Sequence, residues 1–271
     1  MKRKARKLVL AMVALVFVGS CGMLARHLVQ YRQGQEAYHE AAQLVEIADL
    51  PDVEQVPLAF EPLEPSAEQM LESVPAPVET VDPSAEALEK MDFTALREVN
   101  EDVLGWIVIP DTNLSYPLLQ GTDNEYYLSH TWQKSRNAVG SIFVDHRNSS
   151  DLSDFHTIVY GHRMKDGSMF GQLHKYKNAA YWGEHPKIYL ADDNGSHAYE
   201  VFSVYEADSL DTYQIEFADD GEKEEFLQYV TSRTWVNTGV IPEGGERILT
   251  LSTCTGNGHD TRWVVHAVLT E

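Results

Sequence analysis

The chain has 271 residues, with 42 acidic against 21 basic side chains, a formal net charge of −21 and an aromatic content of 10%. This excess of negative charge excludes general binding to phosphate backbones, so no nucleic-acid partner is expected. Two cysteines are too few for a disulfide framework or a cysteine-rich zinc site, whereas 43% apolar and 23% charged residues are typical of a folded protein.

An uncharged apolar segment lies close to the N-terminus. Five basic residues fall within positions 2–7, and residues 8–25 carry no charge. As a helix, these 18 residues span about 27 Å, close to the ~30 Å hydrocarbon core of a bilayer. We therefore predict a basic cytoplasmic tail over 1–7 and a single-pass membrane anchor over 8–25, with the rest of the chain outside the cell. A cleaved secretory signal is the alternative.

Cys21 introduces a second alternative for the anchor. The sequence Val-Gly-Ser-Cys over 18–21 loosely resembles the small-residue box before the lipidated cysteine of bacterial lipoproteins. A lipid anchor would leave the exported domain on the same side of the membrane, whereas the simpler interpretation is a small residue within a membrane helix. In both cases Cys254 is the one cysteine of the exported domain, so it has no partner there for a disulfide.

An acidic, proline-rich segment follows the anchor. With histidine taken as neutral, Lys90 is the only side chain over 36–92 with a positive charge, and seven of the eleven prolines lie between Pro51 and Pro83. Proline stiffens a chain and like charges extend it. We predict that residues 26–92 form an extracytoplasmic stalk, with a short helix over 37–50, and that the chain folds without residues 1–90.

The folded domain is predicted to span residues 93–271 and to be mainly β with peripheral helices. A short amphipathic helix, with Thr94 as its cap, is indicated at its start by Phe93, Leu96, Val99, Val103 and Leu104. Eight short segments rich in β-branched and aromatic residues are predicted strands: 106–110, 115–119, 141–145, 157–160, 187–190, 198–205, 247–254 and 262–269. Eight such strands with turn residues between them favour a closed or nearly closed barrel.

One helix interrupts the series of strands. Residues 219–234 have a helical pattern and lie before the strand that ends at Cys254. The side chains predicted to form its inner face are Phe226, Leu227, Val230 and Trp235.

Three residues at strand ends suggest acyl-transfer chemistry. Cys254 and His162 each close a predicted strand, and Arg262 opens the last one. A cysteine attacks a carbonyl carbon as the thiolate, so it needs an imidazole nearby to take or hold its proton. The carbonyl oxygen then becomes negative, and a guanidinium or backbone N–H groups stabilise it.

The loop between Cys254 and Arg262 is short and contains two glycines. If the two flanking strands pair antiparallel, both side chains lie at the same end of the barrel. His259, within this loop, and His266, along the last strand about 13 Å from Arg262 at ~3.3 Å per residue, are rival candidates for the base.

The motifs that contain these residues resemble those of the sortases, the membrane-anchored cysteine transpeptidases of Gram-positive bacteria. The similarity runs from about Phe93 to the C-terminus and includes the motifs at 160–164, 251–254 and 262–265. The segments most similar to class B lie at 105–110, 116–121, 123–128 and 140–145. A helix inserted before the cysteine strand is also a class B trait.

The resemblance implies an eight-stranded sortase β-barrel with an N-terminal helix and a defined reaction. Cys254 attacks the Thr carbonyl of a C-terminal sorting signal and forms a thioacyl-enzyme. His162 protonates the departing amine and later deprotonates the incoming one. Arg262 orients the substrate and stabilises the oxyanion, together with the backbone N–H of Thr255. His162 ranks above His259 and His266 because it alone lies in the family motif.

The resemblance also implies substrate-binding residues and partners. Asn124, Leu128 and Ser252 match positions that line the groove of class B relatives, and Tyr213 is a further candidate. The partners are surface proteins with a C-terminal sorting motif, an amine of the peptidoglycan precursor or cross-bridge, and the membrane. No cofactor is implied. No metal is expected either, because Glu101, Asp102 and the carboxylates around 151–154 lack the spacing of an EF-hand.

Other functions remain open on the residues alone. A pilin-polymerising sortase would use a lysine of the next subunit as its acceptor. An L,D-transpeptidase carries a Ser-His-Gly-Cys type of motif, whereas Cys254 follows Leu-Ser-Thr. A non-enzymatic surface protein would keep its function without Cys254. The sorting motif, of the NPxTx or the LPxTG type, cannot be read from one sequence.

Overall fold

The computed structural model describes residues 2–45, 83–256 and 261–270. Within these ranges eight strands close into a barrel, in the order β1-β2-β3-β4-β7-β8-β6-β5. Their bounds are β1 Val103–Val108, β2 Ser115–Leu119, β3 Ile142–Val144, β4 His156–Tyr160, β5 Lys187–Asp192, β6 Gly195–Ala207, β7 Ile248–Cys254 and β8 Arg262–Leu269. The predicted eight-stranded barrel is confirmed.

The helices lie outside the barrel wall or before it. They are α1 Lys2–Leu44, α2 Pro83–Glu89, α3 Thr94–Val99, α4 Ala179–Glu184 and α5 Asp220–Ser232. Short 3-10 turns occur at Tyr126–Leu128, Leu173–Lys177 and Leu210–Tyr213.

Side chains that alternate between the two faces of β7 belong to two different hydrophobic cores. Leu249 and Leu251 belong to the cluster that also contains Trp106 and Val265, inside the barrel. Ile248 belongs to a second cluster, which includes Phe226 of α5. Because successive side chains of a strand point to opposite faces, Thr250, Ser252 and Cys254 share the face of Ile248. The cysteine therefore emerges on the outer face, in line with the surface that α5 covers.

The predicted helix at the start of the domain is shorter than its apolar pattern. Helix α3 ends at Val99, and Val103 and Leu104 are the first residues of β1. Thr94 makes no side-chain cap; instead its backbone N–H donates to the Asp92 carboxylate at 2.8 Å. The helical spacing was misleading because pairing with β2 begins at Val103 and pairing with β5 follows from Trp106.

Helix α5 confirms most of the predicted inner face. Phe226, Leu227 and Val230 are buried. Trp235 was wrongly assigned to that face, since α5 ends at Ser232 and the Trp235 side chain is 56% exposed. It packs edge-on against Trp263 at the start of β8, with ring centroids 5.0 Å apart.

The predicted stalk begins as a helix that packs on the barrel. Helix α1 runs without a break to Leu44. Its residues Ala37, Tyr38 and Ala41 are buried at helical spacing, and so is Val45 directly after its end. The Trp132 indole N–H donates to the Ala37 carbonyl at 2.7 Å. Residues 26–45 are therefore not an extended spacer.

The other end of the predicted stalk is also helical. Helix α2 contacts β5 and β6, and its Leu88 is buried. The remainder of the proposed stalk, 46–82, lies outside the described residues.

These contacts change the expected result of truncation. We expect a chain without residues 2–26 to keep its melting temperature, because the buried face of α1 is retained. A chain without residues 2–46 should lose several kcal/mol of stability, since each large buried side chain contributes about 1.5–3 kcal/mol. Thermal unfolding of the two shortened chains beside the full chain makes the comparison. Equal melting temperatures for all three would show that α1 docking contributes nothing to stability.

Candidate active site

Cys254 and Arg262 lie directly opposite each other. Strands β7 and β8 pair antiparallel, and Cys254 and Arg262 are partners in the ladder at its last step. The Cys254 side chain is exposed at this end of the barrel. The antiparallel pairing on which the sequence argument depended is thus confirmed.

His162 follows the strand on the other side of β7. Strands β4 and β7 are parallel, with Tyr160 beside Ser252, and the N–H of Gly161 donates to the Ser252 carbonyl at 3.2 Å. His162 is two residues beyond Tyr160, as Cys254 is two beyond Ser252, so the same register brings them side by side. Neighbouring strands are about 4.8 Å apart.

A contact one residue further along supports this register. The Arg163 guanidinium donates to the carbonyl of Thr255 at 2.5 Å, which pairs the residue after the histidine with the residue after the cysteine. Extended by two residues beyond Tyr160, the register of these strands predicts that His162, Cys254 and Arg262 lie in one row across the ends of β4, β7 and β8.

The orientation of the His162 ring is set by a backbone carbonyl. Its Nε2 lies 2.6 Å from the carbonyl oxygen of Leu128. A carbonyl oxygen only accepts hydrogen bonds, so Nε2 carries the hydrogen and Nδ1 is the nitrogen that can exchange a proton when the ring is neutral.

Gly140 packs closely against the same ring. Its φ of +64° is in the left-handed region, and a Cβ at this position would come within 2.8 Å of His162 Cδ2. Glycine is therefore required here on two counts. The Gly140 carbonyl accepts a hydrogen bond from the Tyr38 hydroxyl of α1, so the N-terminal helix holds the segment on which the imidazole rests.

The turn after Cys254 is held by side-chain contacts. Thr255 is buried, and its hydroxyl lies 2.7 Å from that of Thr261. The half-buried Arg262 guanidinium donates to the Thr261 carbonyl at 3.0 Å. His259, one of the rival bases, lies outside the described residues.

A groove of about 500 Å³ leads along the outer face to Arg262. Tyr213 and Ser252, two of the predicted substrate-binding residues, line it, and their hydroxyls are 2.9 Å apart. The Tyr213 ring also stacks on Tyr160, with centroids 6.2 Å apart. Burial raises the pKa of Tyr213, and its pKa also responds to the charges of Arg262 and Cys254. This wall therefore borders the reactive residues.

The other predicted substrate-binding residues have different surroundings. The side-chain oxygen of Asn124 accepts from the backbone N–H of His146 at 2.9 Å and braces that loop. The Leu128 side chain is exposed, while its carbonyl holds His162. Thr255 adjoins Cys254 through the backbone. None of these three is among the described residues that line the groove.

Sequence reasoning missed an ion pair in the lining of the groove. Arg147 lines the groove, and its guanidinium donates to both oxygens of the buried Asp145 carboxylate at 2.9 and 2.8 Å. The Tyr160 hydroxyl donates to the same carboxylate at 2.9 Å. Burial alone would raise the pKa of Asp145, but these hydrogen bonds lower it to about 2. The signal was Asp145 at the end of the third predicted strand, with Arg147 two residues later.

His266, the second rival base, does not reach the thiol. It is fully buried, and its two ring nitrogens contact the hydroxyls of Thr250 at 2.7 Å and Tyr205 at 3.2 Å. Burial lowers the pKa of His266 well below its ordinary value. His266 is thus held inside the structure by these two hydroxyls, and among the described histidines His162 is the one that the strand register places next to Cys254.

The carboxylates considered for a metal are engaged by protein donors. Asp102 accepts from the Tyr127 hydroxyl at 2.6 Å and pairs with Lys134 at 3.1 Å. Asp154 accepts from the Asn148 amide at 2.8 Å. Within the described ranges, no group of three or more His, Cys, Asp or Glu side chains is arranged to hold a metal ion.

The buried histidines predict a loss of stability in mild acid. Burial lowers the pKa of His156 to about 4, an effect that exceeds the opposing influence of Asp145 and Asp154. In the unfolded chain a histidine binds its proton near pH 6.5. Between these values the unfolded state binds more protons, so the free energy of unfolding should fall as the pH falls, by up to ~1.4 kcal/mol per pH unit for each such histidine.

Urea unfolding at several pH values tests this prediction. The interval from pH 6.5 to 5 is informative because it lies above the ordinary pKa values of Asp and Glu. A constant free energy of unfolding over that interval would contradict the prediction that both histidines are neutral in the fold.

Comparison with known protein families gives a match over most of the barrel. Residues 107–270 match the family model described as Sortase domain. The chain is 41% identical over 161 residues to Sortase B of Listeria monocytogenes, an alignment that covers 59% of this chain and 65% of that protein. The matched region is thus slightly less than two thirds of that relative's length.

Solved structures with the same fold include two sortases. Sortase B from Bacillus anthracis, in complex with AAEK1, superposes with a TM-score of 0.69 at 29% identity and covers 90% of this chain and 99% of its own. A Staphylococcus aureus sortase B–substrate complex has a TM-score of 0.63 at 32% identity, covering 66% of this chain and 84% of its own.

Proposed function

The chain belongs to the sortase family, and we propose that it is a class B sortase. In this role it is a cysteine transpeptidase that cleaves a C-terminal sorting signal after Thr and transfers the protein to an amine. The observation that carries the proposal is the row of His162, Cys254 and Arg262 across the ends of three adjacent strands.

The first half of the reaction forms a thioacyl-enzyme. The Cys254 sulfur bonds to the Thr carbonyl carbon, and the C–N bond of the scissile amide breaks. Nδ1 of His162 gives a proton to the departing amine, because Nε2 is engaged by the Leu128 carbonyl. In the second half, the acceptor amine attacks the thioester carbon and gives its proton back to His162. The C–S bond then breaks, and the sulfur leaves as the thiolate.

Arg262 supports the oxyanion in both halves. In the ladder it lies opposite the nucleophile, on the side away from His162. Its charge is thus available where the carbonyl oxygen becomes negative, and the Thr255 backbone N–H is a second donor. Held donors of this kind cost little reorganisation during the reaction.

The groove is proposed to bind the sorting signal. Tyr213 and Ser252 form its wall next to the reactive row. Asn124 and Leu128 are proposed to complete the site, since the Leu128 carbonyl contacts the His162 ring. The solved sortase B–substrate complex supports a groove of this kind in a relative. The acceptor is an amine of the peptidoglycan precursor or cross-bridge, with a pilin lysine as the alternative.

We also propose a membrane location. One described helix is long and apolar enough to cross a bilayer, over Met12–Leu44. A signal sequence near the N-terminus has the same length and composition. The basic residues before it favour a cytoplasmic tail over 1–7, an anchor over 8–25 and an extracytoplasmic catalytic domain over 93–271.

Mass spectrometry of the protein with candidate peptides tests the function. With a peptide of the NPxTx or LPxTG type, we expect a mass increase equal to the acyl portion up to Thr, located on Cys254. Addition of a glycine oligomer or a lysine derivative should release it and identify the acceptor. An intact peptide in every case, or an adduct on another residue, would refute the assignment.

A further inference from the structure

A fully buried chain of hydrogen bonds lies behind the groove. His156 Nε2 is 2.6 Å from the Thr250 hydroxyl, which is 2.7 Å from His266 Nδ1. His266 Nε2 is 3.2 Å from the Tyr205 hydroxyl. We call His156, Thr250, His266 and Tyr205 the buried chain; each of the four is at most 1% exposed.

Both ends of the buried chain reach the same short segment. His156 Nδ1 is 2.6 Å from the carbonyl oxygen of Gln214. At the other end, the Tyr205 hydroxyl is 3.1 Å from the Thr212 hydroxyl. The residue between these two contacts is Tyr213, which forms the groove wall with Ser252. The chain thus holds the segment on both sides of a single groove residue.

The direction of every hydrogen bond follows from one carbonyl. The Gln214 oxygen only accepts, so His156 carries its hydrogen on Nδ1 and accepts at Nε2. The Thr250 hydroxyl must then donate to His156 and accept from Nδ1 of His266. His266 accepts at Nε2 from the Tyr205 hydroxyl, whose oxygen accepts from Thr212.

The inserted helix shields this arrangement from water. The Phe226 ring of α5 lies 4.7 Å from the ring of His156 and 6.4 Å from that of His266, between ring centroids. Tyr205 stacks on His266 at 5.3 Å. A hydrogen-bond chain inside such a packed region is rigid as long as every member is satisfied, and loses order when one member is removed.

We propose that the buried chain clamps residues 212–214 and so positions Tyr213 as the fixed wall of the substrate groove. Its members are positioning residues and not catalytic ones, since the hydrogen bonds described above join them to one another and to residues 212–214. The proposal rests on the proposed function only in taking this groove as the site for the sorting peptide.

Thr250→Val tests the clamp, because it removes both central hydrogen bonds while keeping the side-chain shape. Thr253→Val is the matched control: its hydroxyl is buried on the same strand and has no hydrogen-bond partner among the described residues. Hydrogen exchange of peptides covering 209–215 should be about tenfold faster in Thr250→Val and unchanged in Thr253→Val.

Steady-state kinetics distinguish positioning of Tyr213 from a general loss of structure, because positioning should affect KM and not kcat. For a sorting peptide, Thr250→Val should raise KM about tenfold with kcat within about threefold, and the alkylation rate of Cys254 by iodoacetamide should not change. If Thr250→Val does not fold, Tyr205→Phe is the second variant. It removes the hydroxyl that contacts Thr212 but keeps the contact between His156 and Gln214, so it should show the same pattern with a smaller increase in KM.

The outcomes separate the clamp from the proposed function. The clamp is overturned if hydrogen exchange of residues 209–215 in Thr250→Val is as slow as in Thr253→Val. It is also overturned if Thr250→Val lowers kcat and leaves KM unchanged. Faster exchange in a protein that cleaves no sorting peptide supports the clamp and refutes the function, because hydrogen exchange does not depend on turnover.

Discussion

Replacing Cys254 by alanine is expected to lower transpeptidation by at least about 10⁴-fold, because no other group can form the thioacyl intermediate. Turnover of a labelled sorting peptide with an amine acceptor measures the loss. The fold should be unaffected, since the side chain is exposed at the end of β7.

Cys21→Ala is the matched control, because Cys21 is the other cysteine and is likewise exposed, on α1. It should retain full activity. Turnover by Cys254→Ala within tenfold of the unmodified chain would exclude the cysteine mechanism.

Replacing Arg262 by lysine should lower kcat/KM about 100-fold even though the charge is kept. A lysine ammonium is a compact charge on a flexible stem and cannot reproduce the planar fork of donors that a guanidinium presents to an oxyanion. Most of the loss should appear in kcat, because the interaction is strongest in the transition state.

Arg247→Lys makes the same chemical change at the opposite end of the barrel. Arg247 immediately precedes β7, and its guanidinium donates to the Leu152 carbonyl at 3.2 Å. This variant should have near-normal turnover. Equal rates for the two variants would remove Arg262 from the mechanism.

The strands were predictable because their signals are local. Every predicted strand exists, and the segments 115–119 and 262–269 have the predicted ends. β-branched and aromatic residues mark them, and turn residues bound them. The start of β1 was missed because Val103 and Leu104 also fit the helical spacing of the residues before them.

The docking of α1 was not predictable, because its evidence is distributed over distant residues. Ala37 and Ala41 have no local feature that distinguishes a docked helix from a spacer. Their burial depends on Trp132 and on the segment around Gly140, about 100 positions away in the chain. Acidic and proline-rich composition after residue 50 then favoured a stalk over the whole of 26–92, although α1 and α2 contact the barrel at the two ends of that range.

The candidate site was predicted in part for a similar reason. Motifs identified His162, Cys254 and Arg262 individually, and strand order brings them into one row. Arg147 was missed because its place on the groove depends on the burial of Asp145, which only the closed barrel produces.

The continuity of α1 has a mechanical consequence under the proposed topology. If residues 8–25 lie in the bilayer, Tyr38 follows Ala25 by 13 residues, or about 20 Å at 1.5 Å per residue. Because that rod is fastened to the barrel, the enzyme works at one height and one tilt above the lipid surface. It cannot swing on a loose tether, so both the protein to be attached and the amine that receives it must meet at that level.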